Sequence, residues 1–106
     1  MAFREAQAIV DQWISQYKEG YFSPLSNLAR LSEEVGELAR EINDRFGQKT
    51  KKPSEPEGDL GMELADILFV VICLANSQGI DLDQAFEGVM RKVTTRDAAR
   101  WSRKER

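Results

Sequence analysis

The chain contains no histidine. Imidazole-ligated zinc, histidine general bases and the Glu-x-x-His ligand pairs of di-iron bundles are therefore excluded. It has one cysteine, Cys73, set inside an apolar run. No internal disulfide can form, and a reducing cytoplasm is the expected location. The N-terminus lacks the pattern of a signal peptide, and the longest apolar run, Ile67 to Ala75, is too short to span a bilayer. Basic charge is not in excess: 15 Lys and Arg stand against 18 Asp and Glu, a net charge of −3. Neither nucleic acid nor a membrane surface is expected as the main partner. No alternating strand pattern and no internal repeat occurs.

What remains is helical periodicity. From Phe3 to Glu19, the residues Ala6, Ile9, Val10, Trp13, Ile14 and Tyr17 recur at spacings of three and four. Trp13 and Tyr17 follow this seam and are assigned to the core. Gly20 ends the segment. Ser23-Pro24 then reads as an N-cap followed by proline at the first helical position. A second helix runs to Phe46, with Gly47 as its stop and a narrow seam of Leu28, Leu31, Val35, Leu38 and Ile42.

Gln48 to Asp59 carries Lys49, Lys51, Lys52, Pro53 and Pro56 and reads as a polar, mobile loop. A third helix is expected from Leu60 to Ser77. Its second half is apolar all round, which suits a buried central helix. Gly79 stops it. Asp81 with Gln84 three residues on resembles a capping box for a fourth helix, whose apolar face is Leu82, Ala85, Phe86, Val89, Met90 and Val93. Thr94 to Arg106 forms an arginine-rich tail holding Trp101. The fold class is all-α, a four-helix subunit, with residues 1–106 as one domain. A chain of 106 residues buries roughly two-thirds of its unfolded surface, a modest core that oligomerisation would enlarge.

Acidic residues carry the functional signal. Glu33, Glu34 and Glu37 lie on the second helix, Glu63 and Asp66 on the third. Residues three or four apart share a helix face, so each segment projects a compact carboxylate cluster. A single helical Glu is ordinarily a solvated surface residue. Here the wheel argues otherwise. At about 100° per residue, the apolar seam of the second helix centres roughly 70° from Glu34, 130° from Glu37 and 170° from Glu33. Glu34 therefore borders the core and Glu33 lies farthest out. Glu63 and Asp66 sit where the third helix turns wholly apolar, a costly place for charge unless it is paired or bound to a cation. Two facing clusters form an oxygen-rich pocket of the kind Mg²⁺ or Mn²⁺ prefers.

The order Glu33-Glu34-Val35-Gly36-Glu37, then Glu63-Leu64-Ala65-Asp66, resembles the Glu-Glu-x-x-Glu … Glu-x-x-Asp signature of the MazG-like nucleoside triphosphate pyrophosphohydrolases. The Gly-Glu-Leu-Ala and Asp-Ile-Leu-Phe runs and Lys92-Val93-x-x-Arg96 resemble that family too, with Val93 where the family usually has phenylalanine. The likeness covers Ser23 to about Arg96.

The resemblance implies an oligomeric member of the all-α NTP pyrophosphatase superfamily, a tetramer more than a dimer. The implied reaction is hydrolysis of a nucleoside triphosphate to the monophosphate and pyrophosphate. Glu34, Glu37, Glu63 and Asp66 are the expected Mg²⁺ ligands, with Mn²⁺ as a substitute. Glu33 is the expected catalytic residue, placing or deprotonating the water or holding a second ion. Lys92 and Arg96 stand either as cations favouring the C-terminal dipole of their helix or as contacts to the departing phosphates. Lys18 is a further candidate for the substrate, and Trp13, Tyr17, Tyr21, Phe22 and Trp101 are candidates for stacking on a base, with the core as the favoured place for Trp13 and Tyr17. Within the superfamily, a dUTPase-like, dCTPase-like or phosphoribosyl-ATP specificity is the alternative; outside it, a helical interaction module whose acids confer only solubility.

Overall fold

The computed structural model describes residues 2–47 and 58–104. The polar loop expected over Gln48 to Asp59 falls largely outside the described residues, which resume at Gly58. Four helices follow one another: α1 (Phe3–Ile14), α2 (Pro24–Phe46), α3 (Leu60–Ser77) and α4 (Leu82–Arg96). The described residues contain no strand.

Local chemistry explains the boundaries. The Ser23 hydroxyl accepts from the Ser26 amide at 3.2 Å, with proline at the first turn of α2. Asp59 caps α3 by accepting from the Met62 amide at 3.1 Å. Asp81 caps α4 by accepting from the amides of Asp83 and Gln84. At the end of α3, the Ile80 amide reaches back to the Ala75 carbonyl at 2.9 Å, a closure that requires the positive φ of 67° at Gly79.

α1 departs from the sequence expectation. It ends at Ile14, not Glu19. The Ser15 hydroxyl bonds back to the Gln12 carbonyl, and the next amides step down to shorter-range bonds, Gln16 to Trp13 and Tyr17 to Ile14. A serine that offers the backbone a competing partner favours such a stop. The chain then reverses at Gly20, where φ is 61°. α4 ends at Arg96, with Lys92 and Arg96 in its final turns as the sequence places them.

α3 is the centre. Its most extensive packing is against α2, then α1; α4 docks on α1. The buried apolar core consists of Val70, Ile72, Cys73 and Ala75, all from α3. By length and composition alone α3 could cross a bilayer, with mean hydropathy 1.8 over Leu60–Ser77. The 18-residue stretch is longer than the Ile67 to Ala75 run, which by itself is too short to span, and only part of its apolar surface packs against α1 and α2.

α1 has no side-chain cap of its own. The Asp83 carboxylate on α4 supplies one, accepting from the backbone amides of Phe3 at 3.2 Å and Arg4 at 3.0 Å. The Arg4 guanidinium reaches Asp81 at 3.0 Å and holds its carboxyl below the ordinary carboxylate range. Gln7 ties α1 to the α3–α4 connection. Its amide nitrogen donates to Asn76 and to the Ile80 carbonyl, and its oxygen accepts from the Leu82 amide.

The seam of α2 is only partly internal. Leu31 and Leu38 are half-buried, but Leu28, Val35 and Ile42 are 55%, 48% and 43% exposed. The less exposed face of α2 carries Asn27, Arg30, Glu34, Glu41 and Asp44 alongside Leu31 and Leu38. Polar groups share that face with two leucines, and the rest of the apolar stripe is left over. Leu64 and Leu68 on α3 are likewise about half exposed, so the central helix is incompletely covered. The radius of gyration is 17.9 Å. A compact domain near this length has about 13 Å. The protomer is open.

Candidate active site

The α2–α3 pairing gathers four of the predicted carboxylates. One oxygen from each of Glu34, Glu37, Glu63 and Asp66 lies within 4.8 Å of every other. Helical spacing accounts for this: Glu34 and Glu37 are one turn apart on α2, Glu63 and Asp66 one turn apart on α3. Glu34, Glu63 and Asp66 are half-buried; Glu37 is exposed at the rim.

The electrostatics of this cluster are unfavourable as it stands. Burial pushes the Glu34 carboxyl up, and Glu37 and Asp66 push it further. Burial likewise raises Glu63, with Glu37 and Asp66 next in effect. The nearby cation Arg30 works against the shift at Glu34. One oxygen of Glu34 and one of Glu63 are shut off from solvent with no hydrogen-bond partner. An unsatisfied buried carboxylate oxygen is costly, and groups of this kind ordinarily meet a donor or a cation. An all-oxygen set of four carboxylates suits a hard divalent ion, so the residues present fit a metal.

The other predicted site residues stand elsewhere. Glu33 is exposed, outside the four-membered cluster. Lys92 and Arg96 are exposed at the far end of α4. Arg96 pairs with Asp97 at 3.4 Å, and Lys92 makes no ion pair or hydrogen bond among the described residues. Lys18 lies exposed in the turn after α1. Within the described chain, none of these three cations pairs with the carboxylates.

Two features escaped sequence reasoning. Glu41, one turn beyond Glu37, is only 6% exposed, and its charge acts on Glu63. Arg45 binds it at 2.9 Å and also donates to the Gly58 carbonyl at 2.8 Å. The chain passes Gly58 so near that a β-carbon there would collide with the Glu41 carboxylate. The signal was present: Glu34, Glu37, Glu41 and Asp44 continue the three-four spacing, and Glu41–Arg45 is a four-apart ion pair. The second feature is Trp13 and Tyr17. Expected in the core, they are 51% and 52% exposed and line a cavity together with Phe22, Arg30 and Phe69. Trp13 is still within α1 and packs edge-on against Tyr17 and Phe69.

Comparison with known proteins agrees with this geometry. Residues 22–101 match the MazG nucleotide pyrophosphohydrolase domain. The uncharacterized protein YpjD of Bacillus subtilis is 55% identical over 102 residues, covering 96% of this chain and 92% of YpjD. YvdC of the same organism, also uncharacterized, is 27% identical over 99 residues. The crystal structure of B. subtilis YpjD, provisionally assigned as a pyrophosphatase, superposes with a TM-score of 0.81 at 52% identity, covering 90% of this chain and 97% of that one. That of a Bacillus-conserved MazG protein, a nucleotide pyrophosphohydrolase, gives 0.77 at 48% identity, covering 92% and 94%. With four helices, a facing pair of acidic clusters and a match across three-quarters of its length, the chain belongs to the MazG nucleotide pyrophosphohydrolase family and is a hydrolase of that kind.

Proposed function

We propose that the protein hydrolyses a nucleoside or deoxynucleoside triphosphate at the α-phosphorus, releasing the monophosphate and pyrophosphate, in a reaction dependent on Mg²⁺ or Mn²⁺. The observation that carries this reading is the meeting of four carboxylates within 4.8 Å, two with solvent-excluded oxygens that bond to nothing. Glu34, Glu37, Glu63 and Asp66 are the residues that would hold the ion. A bound divalent cation supplies charge neutralisation on the phosphate oxygens and acidifies a water.

The chain's own groups do the rest. Glu33, on the outer flank of the same helix turn, orients the attacking water or takes its proton. With no histidine present, a carboxylate is the available base. Lys92 and Arg96 receive the charge that builds on the leaving pyrophosphate, and Lys18 is a further contact to the phosphates. Residues 1–106 act as one catalytic domain. The exposed stripe of Leu28, Val35 and Ile42 and the half-covered α3 support a homo-oligomer, a tetramer more than a dimer. The lone buried thiol and acidic balance support a cytoplasmic enzyme with no nucleic-acid or membrane partner.

The test is a panel of nucleoside triphosphates, each incubated with and without Mg²⁺, with products separated by chromatography. Monophosphate and pyrophosphate should appear only with metal. A nucleoside diphosphate as main product overturns the α-phosphorus assignment. No turnover of any nucleotide overturns the activity.

A further inference from the structure

Of the four clustered carboxylates, Glu63 stands nearest a helix end. It lies in the first turn of α3, and one of its oxygens bonds to nothing. Helix ends fray, so its position depends on how the chain enters α3. That entry is held from α2. The Arg45 guanidinium donates from Nε to the Glu41 carboxylate at 2.9 Å and from a terminal nitrogen to the Gly58 carbonyl at 2.8 Å. Gly58 comes one residue before the N-cap of α3. The cap, Asp59, accepts from the Met62 amide through its side chain and from the Glu63 amide through its carbonyl, both at 3.1 Å. Two hydrogen bonds and one peptide bond therefore lead from the guanidinium to the backbone of Glu63. α3 runs back along α2, so Gly58 meets Arg45 just ahead of the place where Glu63 meets Glu37.

The fit at this contact is close. A β-carbon on Gly58 would collide with the Glu41 carboxylate, so the chain can pass here only without a side chain. The Glu41 carboxylate is almost wholly buried and the Arg45 side chain half-exposed. Such a pair adds little stability over an apolar one, and its best-attested use is to fix one arrangement of the chain. The planar fork of arginine serves a carboxylate and a carbonyl at once; the point charge of lysine does not.

We propose that Arg45, oriented by Glu41, is a positioning residue that latches the chain at Gly58 onto α2 and so holds Glu63 opposite Glu37 for the divalent ion. The inference rests on the metal reading above, in which Glu63 is a ligand. Charge and position make opposite demands on Arg45. It is a cation beside an acidic site. If its charge were all that mattered, removing it would tighten the binding of a divalent cation. If it positions Glu63, removing it weakens that binding.

The experiment titrates Mg²⁺ into the full chain without nucleotide and compares wild type, Arg45→Gln and Arg45→Lys. Both variants should bind about tenfold more weakly, as when a group that supports a metal ligand is lost. Arg45→Lys keeps the charge, so its loss isolates the fork. A double-mutant cycle assigns the loss: Glu63→Gln should cost little more in the Arg45→Gln background, whereas Glu34→Gln should cost its full factor in both. In metal-free protein, hydrogen exchange at the Met62 and Glu63 amides should be about tenfold faster in Arg45→Gln, with the amides from Val70 to Ala75 unchanged. Unchanged exchange at Met62 and Glu63 overturns the latch. So does Mg²⁺ binding in Arg45→Gln that equals or exceeds wild type, or a Glu63→Gln cost that is the same in both backgrounds. If Arg45→Gln does not fold, Arg45→Lys decides alone, and wild-type affinity overturns the proposal. A wild type that takes up neither Mg²⁺ nor Mn²⁺ defeats the metal reading; exchange in Arg45→Gln then still decides the latch at the start of α3.

Discussion

Replacing Glu34 by Gln should move stability in opposite directions with and without metal. The side chains are nearly the same size, so packing changes little. Without metal, Glu34 is one of four carboxylates within 4.8 Å, and burial and its neighbours raise its carboxyl above the ordinary value. A raised carboxyl means the charged form is disfavoured by folding. At neutral pH the neutral amide should therefore raise the melting temperature of the metal-free protein. With metal the sign reverses. Residues that merely support a metal ligand cost 10–100-fold in affinity, and a ligand itself should reach about the upper figure. At a metal concentration of about 100 times Kd, binding stabilises wild type by about 2.7 kcal/mol. For a domain of this size that corresponds to about 10–20 °C. A hundredfold weaker site at the same concentration retains about 0.4 kcal/mol, or about 2–3 °C.

The assay is a thermal melt at fixed Mg²⁺, paired with a melt in chelator and with turnover. Glu33→Gln is the control. Glu33 is exposed and outside the cluster, so the Mg²⁺-induced shift should survive while turnover falls by about 10²-fold or more. A Glu34→Gln protein that keeps the full Mg²⁺ shift refutes the ligand assignment. So does a Glu33→Gln protein that loses it.

Lys92→Ala and Arg96→Ala should each slow turnover by about 10²–10³-fold with Mg²⁺ binding intact; wild-type kinetics would reduce both to helix-end charges. Asp83→Ala should cost about 1 kcal/mol of stability, read by urea melts, because it uncaps α1 from a distance. Val35→Glu should weaken self-association by charging the exposed stripe of α2; light scattering that shows the same mass as wild type would separate that stripe from the interface. Asp81 has a folded-state pKa lowered by Arg4, so its stabilisation is present above the ordinary carboxylate value and is lost as pH falls through the folded one. The stability gap between wild type and Arg4→Gln should accordingly be widest near neutral pH and close in acid, as followed by pH-dependent melts.

Helix starts were the most legible part of the chain. Ser23-Pro24 and Asp81 are chemical signals that act on their own next turn, so they survive whatever the tertiary structure does; Asp59 acts in the same way but reads in the sequence only as the end of the loop. The four clustered carboxylates were legible for a related reason: spacing of three on each of two helices puts each pair on one face. What failed depends on partners. α1 stops at Ile14 because of a serine–backbone bond that competes with a seam continuing to Tyr17. The stripe of Leu28, Val35 and Ile42 reads as core because periodicity reports that a face is apolar, not what covers it. Asn27 looks like an ordinary polar residue of the first turn; only the fold places it beneath a cavity. Glu41 was passed over because the sequence does not say which flank of α2 meets α3.

The cap that Asp83 places on α1 spans 80 positions of sequence. The first helix of the chain therefore gains its N-terminal cap only when the last has formed, although it also packs on α3. Loop closure over that distance is slow relative to helix growth, so α1 is expected to lock late. α1 also carries Trp13, which lines a cavity with Phe22 and Phe69. The carboxylate cluster, built by α2 and α3 alone, can thus exist before that cavity does. A late-closing N-terminal segment is also an early-opening one, and hydrogen exchange in Phe3–Ile14 should report the opening of the aromatic wall long before the α2–α3 pair comes apart.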